Sequence, residues 1–520
     1  MNGAQTLLST LVEQGVDVCF ANPGTSEMHF VAALDDVPSM RGVLVLFEGV
    51  ATGAADGYGR VTGKPAAVLL HLGPGQGNAL ANLHNARRAR TPLINIVGDH
   101  ATTHERFDAP LTSDIAAVSS TFSVFTRRTT SPNDVAGDVH DALDAASGPT
   151  PGIATLIIPA DVSWETVDTP STRTLHRVTR QVPSAATITD LAEQLRAASK
   201  PIILVGGAAA TEAPLTTATR IGEAIGATVL LETFPPITTR GEGTPMVDRL
   251  SYLGEFASLQ LEGCDLLVLA GAATPASFFA YPGAESSLVP PGTTVTTFLD
   301  ASSDARTALE ALASAVGAAE AASALHPANT PPRPEGPLTS ATLAAAVAST
   351  LRAGTVIVDE SNTGGIHLAG QTAGAARHEV LTLTGGAIGY GLPAAVGAAI
   401  GRPDSRVLCL EADGSALYTF QALWTMVREQ LDVTVVILSN RSYAILNLEL
   451  ARVGAVAEGS AASSMLDLSS PDLDFVALAT GLGVNAHRAE TAEDLTALLD
   501  QSYSTPGPVL IEAILPKGLS

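Results

Sequence analysis

Short apolar runs alternate with helix-like stretches along the chain. Val16-Asp17-Val18-Cys19-Phe20, Val43-Leu44-Val45-Leu46-Phe47, Ala67-Val68-Leu69-Leu70 and Leu93-Ile94-Asn95-Ile96-Val97 are uncharged except at Asp17. Runs this short, without polar alternation, suit strands buried on both faces. The stretches between them, such as 77–89, predict helices. Later runs repeat the theme at Ile202–Val205, Thr355–Val358, Val407–Leu410 and Val433–Leu438. The expected fold class is therefore α/β, with three doubly wound parallel-sheet domains.

Two stretches interrupt the alternation. Residues 163–184 are polar and lack a period, and 326–337 holds Pro327, Pro331, Pro332, Pro334 and Pro337, too many for a helix or central strand. They divide the chain into segments 1–165, 185–325 and 338–520. The first and third segments close alike, Pro151-Gly152 before Ile153–Ile158 and Pro506-Gly507-Pro508 before Val509–Ala513, which suggests related topologies. The middle segment runs from Pro201–Val205 into Gly206-Gly207, a turn that lacks a full dinucleotide fingerprint.

Composition narrows the function. The chain has 520 residues, 46% of them apolar, and a formal net charge of −24. This balance argues against nucleic acid or an anionic membrane as a partner. The three cysteines, Cys19, Cys264 and Cys409, are far apart in apolar surroundings and read as buried thiols. No basic-then-apolar leader opens the sequence, so a cytoplasmic location is expected.

Candidate chemistry gathers where predicted strands end, the place where open parallel sheets bind ligands. Asp413-Gly414-Ser415 follows one apolar run and Asn440-Arg441-Ser442-Tyr443 follows the next. Two oxygen-bearing side chains there can hold a hard cation, and the Gly-Ser turn can cradle a phosphate. Asp359-Glu360-Ser361-Asn362 offers hydroxyl and amide groups after a further run, and Gly385-Gly386-Ala387-Ile388-Gly389 brings backbone close to something flat or bulky, with Ile388 the large aliphatic among glycines; each also reads as an ordinary βα turn. In the first segment Glu48 follows Val43–Phe47 and enters a stretch of small residues, a setting that suits a carboxyl to proton transfer or to a helix N-terminus. Thr25, within Asn22-Pro23-Gly24-Thr25, and His71 also follow predicted strands, so Thr25, Glu48 and His71 converge on one sheet edge.

Taken together these motifs resemble the thiamine diphosphate-dependent 2-oxo acid decarboxylase and acetolactate synthase superfamily, over nearly the whole chain. The family's cofactor motif begins Gly-Asp-Gly-Ser and ends in Asn-Asn; here Ala412 and Ser439 replace the first Gly and the first Asn. The resemblance implies a pyrimidine-binding domain (1–165), a central Rossmann-like domain (185–325) and a diphosphate- and metal-binding domain (338–520). It implies Mg2+ held by Asp413, Asn440 and the carbonyl of Ser442. Glu48 would hydrogen-bond the cofactor's aminopyrimidine ring, Gly386 would hold its amino group through a carbonyl, and Ile388 would bend it. Further cofactor contacts are implied at Asn22, Pro23, Gly24, Ser361, Asn362, Gly414, Ser415, Tyr443, Ala444 and Ile445. The site would combine domains from two subunits in a homodimer or homotetramer.

Asn22–Thr25 and His71 with Gly75–Asn78 look most similar to benzoylformate decarboxylase, with Thr25 and His71 contacting substrate. That enzyme's second histidine would fall near Phe278-Phe279-Ala280-Tyr281, where this chain has none. Three readings stand open: decarboxylation of a small 2-oxo acid with aldehyde release or carboligation; an acetolactate synthase-type carboligase, with FAD in the central domain possible though no motif indicates it; and a catalytically degenerate relative that binds cofactor alone.

Overall fold

The apolar runs become the inner strands of three sheets. The computed structural model describes residues 1–168, 179–320, 322–455 and 459–518. Part of the stretch read as a linker at 163–184 lies outside them.

The first sheet contains β1 (Val18–Ala21), β2 (Arg41–Leu44), β3 (Ala66–Leu70), β4 (Leu93–Asp99), β5 (Phe125–Arg128) and β6 (Ile153–Pro159), ordered β2-β1-β3-β4-β6-β5 with every pairing parallel. β3, β4 and β6 are buried at every position, as their unbroken apolar runs require. The middle sheet has β7 (Pro201–Val205), β8 (Thr228–Leu231), β10 (Asp248–Arg249), β11 (Leu266–Ala270) and β12 (Thr294–Leu299), ordered β10-β8-β7-β11-β12. Between β8 and β10 in sequence, β9 (Ile237–Arg240) leaves this sheet. It pairs antiparallel with β14 of the third, so the middle segment contributes an edge to its neighbour.

The third sheet has β13 (Val356–Glu360), β14 (His378–Thr382), β15 (Val407–Ala412), β16 (Val433–Ser439), β17 (Asn485–Ala489) and β18 (Val509–Ile514), ordered β17-β18-β16-β15-β13-β14-β9. Without β9 this order matches the first sheet strand for strand, as the similar closing segments suggest. In both sheets the connections reverse direction between the first and third strands, β1 and β3 or β13 and β15. That reversal opens a crevice at the strands' carboxyl ends.

The first and third units share one hydrophobic core, while the middle unit has its own. Their seam is the helix pair Glu48–Thr62 and Gly391–Gly401. The helices approach so closely that a Cβ on Gly57 would lie 2.2 Å from the Ala394 carbonyl oxygen, and one on Gly397 would lie 1.8 Å from that of Ala54. The run of small residues after Glu48 exists for this contact. Arg60 closes the seam. Its buried guanidinium donates to both Asp56 oxygens, to the carbonyls of Thr382 and Pro236, and to Thr384 Oγ1. All three cysteines are free and buried. Among the described residues no helix is long and apolar enough to cross a membrane.

Candidate active site

The turns after β1, β2 and β3 bring Thr25, Glu48 and His71 to neighbouring strand ends. β2 stops at Leu44, three residues short of the apolar run's end. Only the Val45 N–H continues the ladder, to Ala21 O; Leu46 is 46% exposed and extended Phe47 caps the helix that Glu48 begins. Glu48 is 7% exposed. Its Oε2 accepts from Asn78 Nδ2 at 3.0 Å, and Gly75 lies against its Oε1.

His71 follows β3 at once and caps the helix Leu72–Ala89. Its Nδ1 lies 2.8 Å from Glu27 Oε2, which also accepts the Gly24 N–H at 2.7 Å. Gly24 lies against the imidazole, where a Cβ would sit 2.2 Å from Nδ1. Glu27 is almost wholly buried, and Gly98 leaves room for its carboxyl. Burial raises the Glu27 pKa, against the opposing pull of His71 and the Gly24 N–H. Thr25 stands exposed at the start of the same turn.

The second cluster lies at the crevice of the third sheet. Asn362 Nδ2, after β13, donates to Ser415 Oγ, after β15, at 3.1 Å. Asp413 is 3% exposed; its Oδ1 accepts from Gly414 N and its Oδ2 from Arg441 N at 2.6 Å. Asn440 Oδ1 accepts from Ser442 N at 3.0 Å. Burial pushes the Asp413 carboxyl up to about 6 despite these donors. The Tyr443 ring packs on Gly414, where a Cβ would lie 2.4 Å away, and Ala444 and Ile445 begin the helix Ala444–Arg452. Ser361 lies in the turn after β13. Its hydroxyl is turned onto Asp359 Oδ1 at 2.5 Å and is buried, so it faces its own turn.

Between the clusters runs the 385–389 loop, with Gly386 and Gly389 at positive φ. The first unit's long helix grips it: His84 Nε2 meets Gly385 O at 3.1 Å, and Asn85 Nδ2 donates to Ala387 O at 2.8 Å. Asn82 Nδ2 donates to both Gly49 O and Gly389 O, tying the residue after Glu48 to the residue after Ile388. The Phe278 ring lies over Gly386, 2.8 Å from where a Cβ would be, and contacts Phe234, Tyr252 and Phe279. An aromatic cluster thus covers this loop, and residues 278–281 include no histidine.

Comparison with known proteins decides the family. The N-terminal thiamine pyrophosphate-binding domain of the thiamine pyrophosphate enzymes matches residues 1–118, and their C-terminal binding domain matches 366–513. The chain belongs to the thiamine pyrophosphate enzymes. A Mycobacterium tuberculosis protein, IlvX, which carries the name of an acetolactate synthase large subunit, is 53% identical over 518 residues, 99% of each chain. Benzoylformate decarboxylase of Pseudomonas aeruginosa is 28% identical over 96% of each chain. The thiamine diphosphate-dependent 4-hydroxybenzoylformate decarboxylase of Rhodococcus jostii RHA1 superposes over both whole chains with a TM-score of 0.87 at 26% identity.

The third-sheet crevice of this thiamine pyrophosphate enzyme fits a metal-diphosphate group. Asp413 is a buried carboxylate with no cationic partner among the described residues, and a divalent ion would offset its burial cost. The same turns offer the Asn440 amide oxygen and nearby backbone carbonyls, the hard-oxygen set that Mg2+ prefers. Among the described residues no cluster of three or more His, Cys, Asp or Glu side chains forms an alternative metal site.

Sequence reasoning passed over Glu27, Asn78, Asn82 and Glu360. Glu27, Asn78 and Glu360 each lie in a stretch already singled out, but their partners do not show in spacing. Asn82 depends on helix packing that spacing does not reveal.

Proposed function

We propose that this thiamine pyrophosphate enzyme decarboxylates a small 2-oxo acid, with Mg2+ and thiamine diphosphate as cofactors, and releases an aldehyde or joins the fragment to a second carbonyl. The observation that carries this reading is the gathering of His71, Glu27, Glu48 and Thr25 on one crevice and of Asp413, Asn440 and Ser415 on its topological twin. When bound, the cofactor supplies an electron sink for loss of carbon dioxide.

The chain's own groups supply position and protons. Asp413, Asn440 and the Ser442 carbonyl would hold the metal, and Gly414 and Ser415 would meet the diphosphate. Glu48, held by Asn78, would be the group that holds or moves a proton at the aminopyrimidine end of a bound cofactor, and Gly386 and Ile388 would lie beside its ring. Pinning Nδ1 of His71 on Glu27 leaves Nε2 to exchange protons with substrate beside the Thr25 hydroxyl.

No described contact joins Glu48 to Asp413 within one chain. Large apolar side chains stay exposed beside both clusters, Leu46 on one side and Leu417, Tyr418 and Leu446 on the other. A second copy covers them and completes the site, so the working unit is at least a dimer.

The carboligase reading draws support from the aromatic cluster at Phe278, because proton delivery by a second histidine is missing there. In the middle sheet the Glu232 carboxylate accepts the Gly207 N–H at 2.7 Å, beside a turn that lacks the dinucleotide glycine fingerprint, so nothing there favours FAD. Purified protein with both cofactors, given pyruvate, benzoylformate and branched 2-oxo acids, tests the reading by product mass spectrometry. Absence of carbon dioxide release from every substrate sinks it. Glu48→Gln should cost about 10²- to 10⁴-fold in turnover, with cofactor affinity nearly kept.

A further inference from the structure

We propose that Glu360 is a positioning residue whose buried carboxylate sets the turn carrying Gly386 and Ile388 against the cofactor; this rests on the cofactor reading above. Glu360 ends β13 and is 1% exposed. Its Oε1 accepts the Gly389 N–H at 2.8 Å, and its Oε2 accepts those of Tyr390 at 2.7 Å and Gly391 at 2.5 Å. These donors lie where the 385–389 loop enters the helix Gly391–Gly401, and first-turn donors have no partner within their own helix.

A second carboxyl makes the arrangement unusual. Glu411 on β15 is the register partner of Glu360 and is fully buried beside it. Gly391 is the residue that fits above the pair: a Cβ there would lie 2.0 Å from Glu411 Oε2 and 3.2 Å from Glu360 Cβ. The two acids share this floor unequally. Glu360 accepts three backbone N–H groups, while Glu411 receives the Leu392 N–H and the Cys409 thiol and its Oε1 has no partner among the described residues.

An ordinary helix cap needs one short polar side chain near water. Burying a carboxylate costs several kcal/mol in general terms, and burial together with the neighbouring Glu360 pushes the Glu411 carboxyl well up, so Glu411 stays protonated beside it. What three charge-assisted bonds from adjacent oxygens give in return is a rigid turn. From the opposite side Asn82 holds Gly389 O, Asn85 holds Ala387 O and Thr419 Oγ1 donates to Gly389 O. The loop is therefore held on both faces, with Gly386 and Ile388, the residues assigned to cofactor contact, beside these anchors. Glu360 touches no reacting atom and acts through Gly389, Tyr390 and Gly391.

The test compares Glu360→Gln, Glu360→Asp and Glu411→Gln in the full chain. A glutamine has one acceptor oxygen and turns its NH2 toward a backbone N–H. Glu360→Gln should weaken thiamine diphosphate binding by calorimetry at least about tenfold with Mg2+ present. It should also alter the near-ultraviolet circular dichroism of the bound cofactor and speed hydrogen exchange at Gly389–Gly391 in the cofactor-free protein. Glu360→Asp, which keeps the charge, should restore part of each signal. Glu411→Gln, which still offers a neutral donor and acceptor, should stay within about threefold of wild type.

Wild-type binding and dichroism in Glu360→Gln, or an equal loss in Glu411→Gln, would overturn the assignment. If Glu360→Gln does not fold, exchange in wild type decides: slow exchange at Gly389–Gly391 supports the proposal, and exchange as fast as in exposed loops refutes it. A wild-type protein that binds no thiamine diphosphate refutes the cofactor reading, and this proposal with it, whereas a variant indistinguishable from a binding wild type refutes this proposal alone.

Discussion

Glu27 Oε2 and His71 Nδ1 lie 2.8 Å apart, although 44 residues separate them, because β1 and β3 are neighbours and each chain leaves its strand directly into a turn. The carboxylate fixes which imidazole nitrogen carries the proton that faces Glu27, and so which one faces outward. Glu27→Gln should lower kcat about 10- to 100-fold, the range for partners that orient a working group, while thiamine diphosphate affinity holds. Steady-state kinetics with separate cofactor titration checks both halves, and an unchanged kcat would remove Glu27 from the mechanism.

Asp413 is the sole carboxylate in the proposed metal set. Asp413→Ala should reduce Mg2+-dependent cofactor binding by at least about 100-fold, more than loss of an outer-shell partner costs. A chelator added to wild type should produce the same loss, and calorimetry with and without Mg2+ reads it directly.

The seam between the first and third units tolerates no added atom. At Gly397 a Cβ would meet backbone, Ala54 O at 1.8 Å and Tyr58 N at 2.6 Å, and neither can swing aside. Gly397→Ala should cost about 3 kcal/mol or prevent folding. Gly137, in the helix Val135–Ala146, has nothing within 4 Å of a built Cβ, and its change to Ala should stabilise by up to about 1 kcal/mol. Thermal unfolding of the two variants should move in opposite directions.

Glu232 gives the stability a pH dependence. Burial first of all pushes its carboxyl from 4.5 up to about 7, with the Gly207 N–H and Arg90 pulling the other way. The folded protein then binds the proton more tightly than the unfolded chain. This contribution is fully present below pH 4.5 and is lost as pH rises through about 7. Glu232→Gln should flatten that part of the decline, and melting temperatures between pH 5 and 8 provide the readout. An unchanged slope in the variant would assign the decline to other groups.

Much of the architecture was legible in the apolar runs. β3, β4, β6, β15 and β16 fall on them because a strand buried on both faces has no polar alternation to disguise it. The same reading overran β2, where Val45–Phe47 are as apolar as the strand before them yet form a turn that leaves Leu46 exposed. It also gave no hint that β9 leaves the middle sheet for the third, since a four-residue run carries no mark of its partner.

For the site, the sequence by itself determined which candidate turns follow strands, Asn22–Thr25, Glu48, His71, Asp413–Ser415 and Asn440–Ser442, because strand ends are readable from local pattern. Only the tertiary structure decided which side chains those turns engage. Glu27 meets His71, Asn78 meets Glu48, Glu360 takes three backbone donors, and the Ser361 hydroxyl turns back onto Asp359. The physical reason is that strand order and helix packing bring together residues tens of positions apart. Periodicity records the face a residue shows, while its partner is set by the sheet's order and by how closely small-residue helices allow the units to approach.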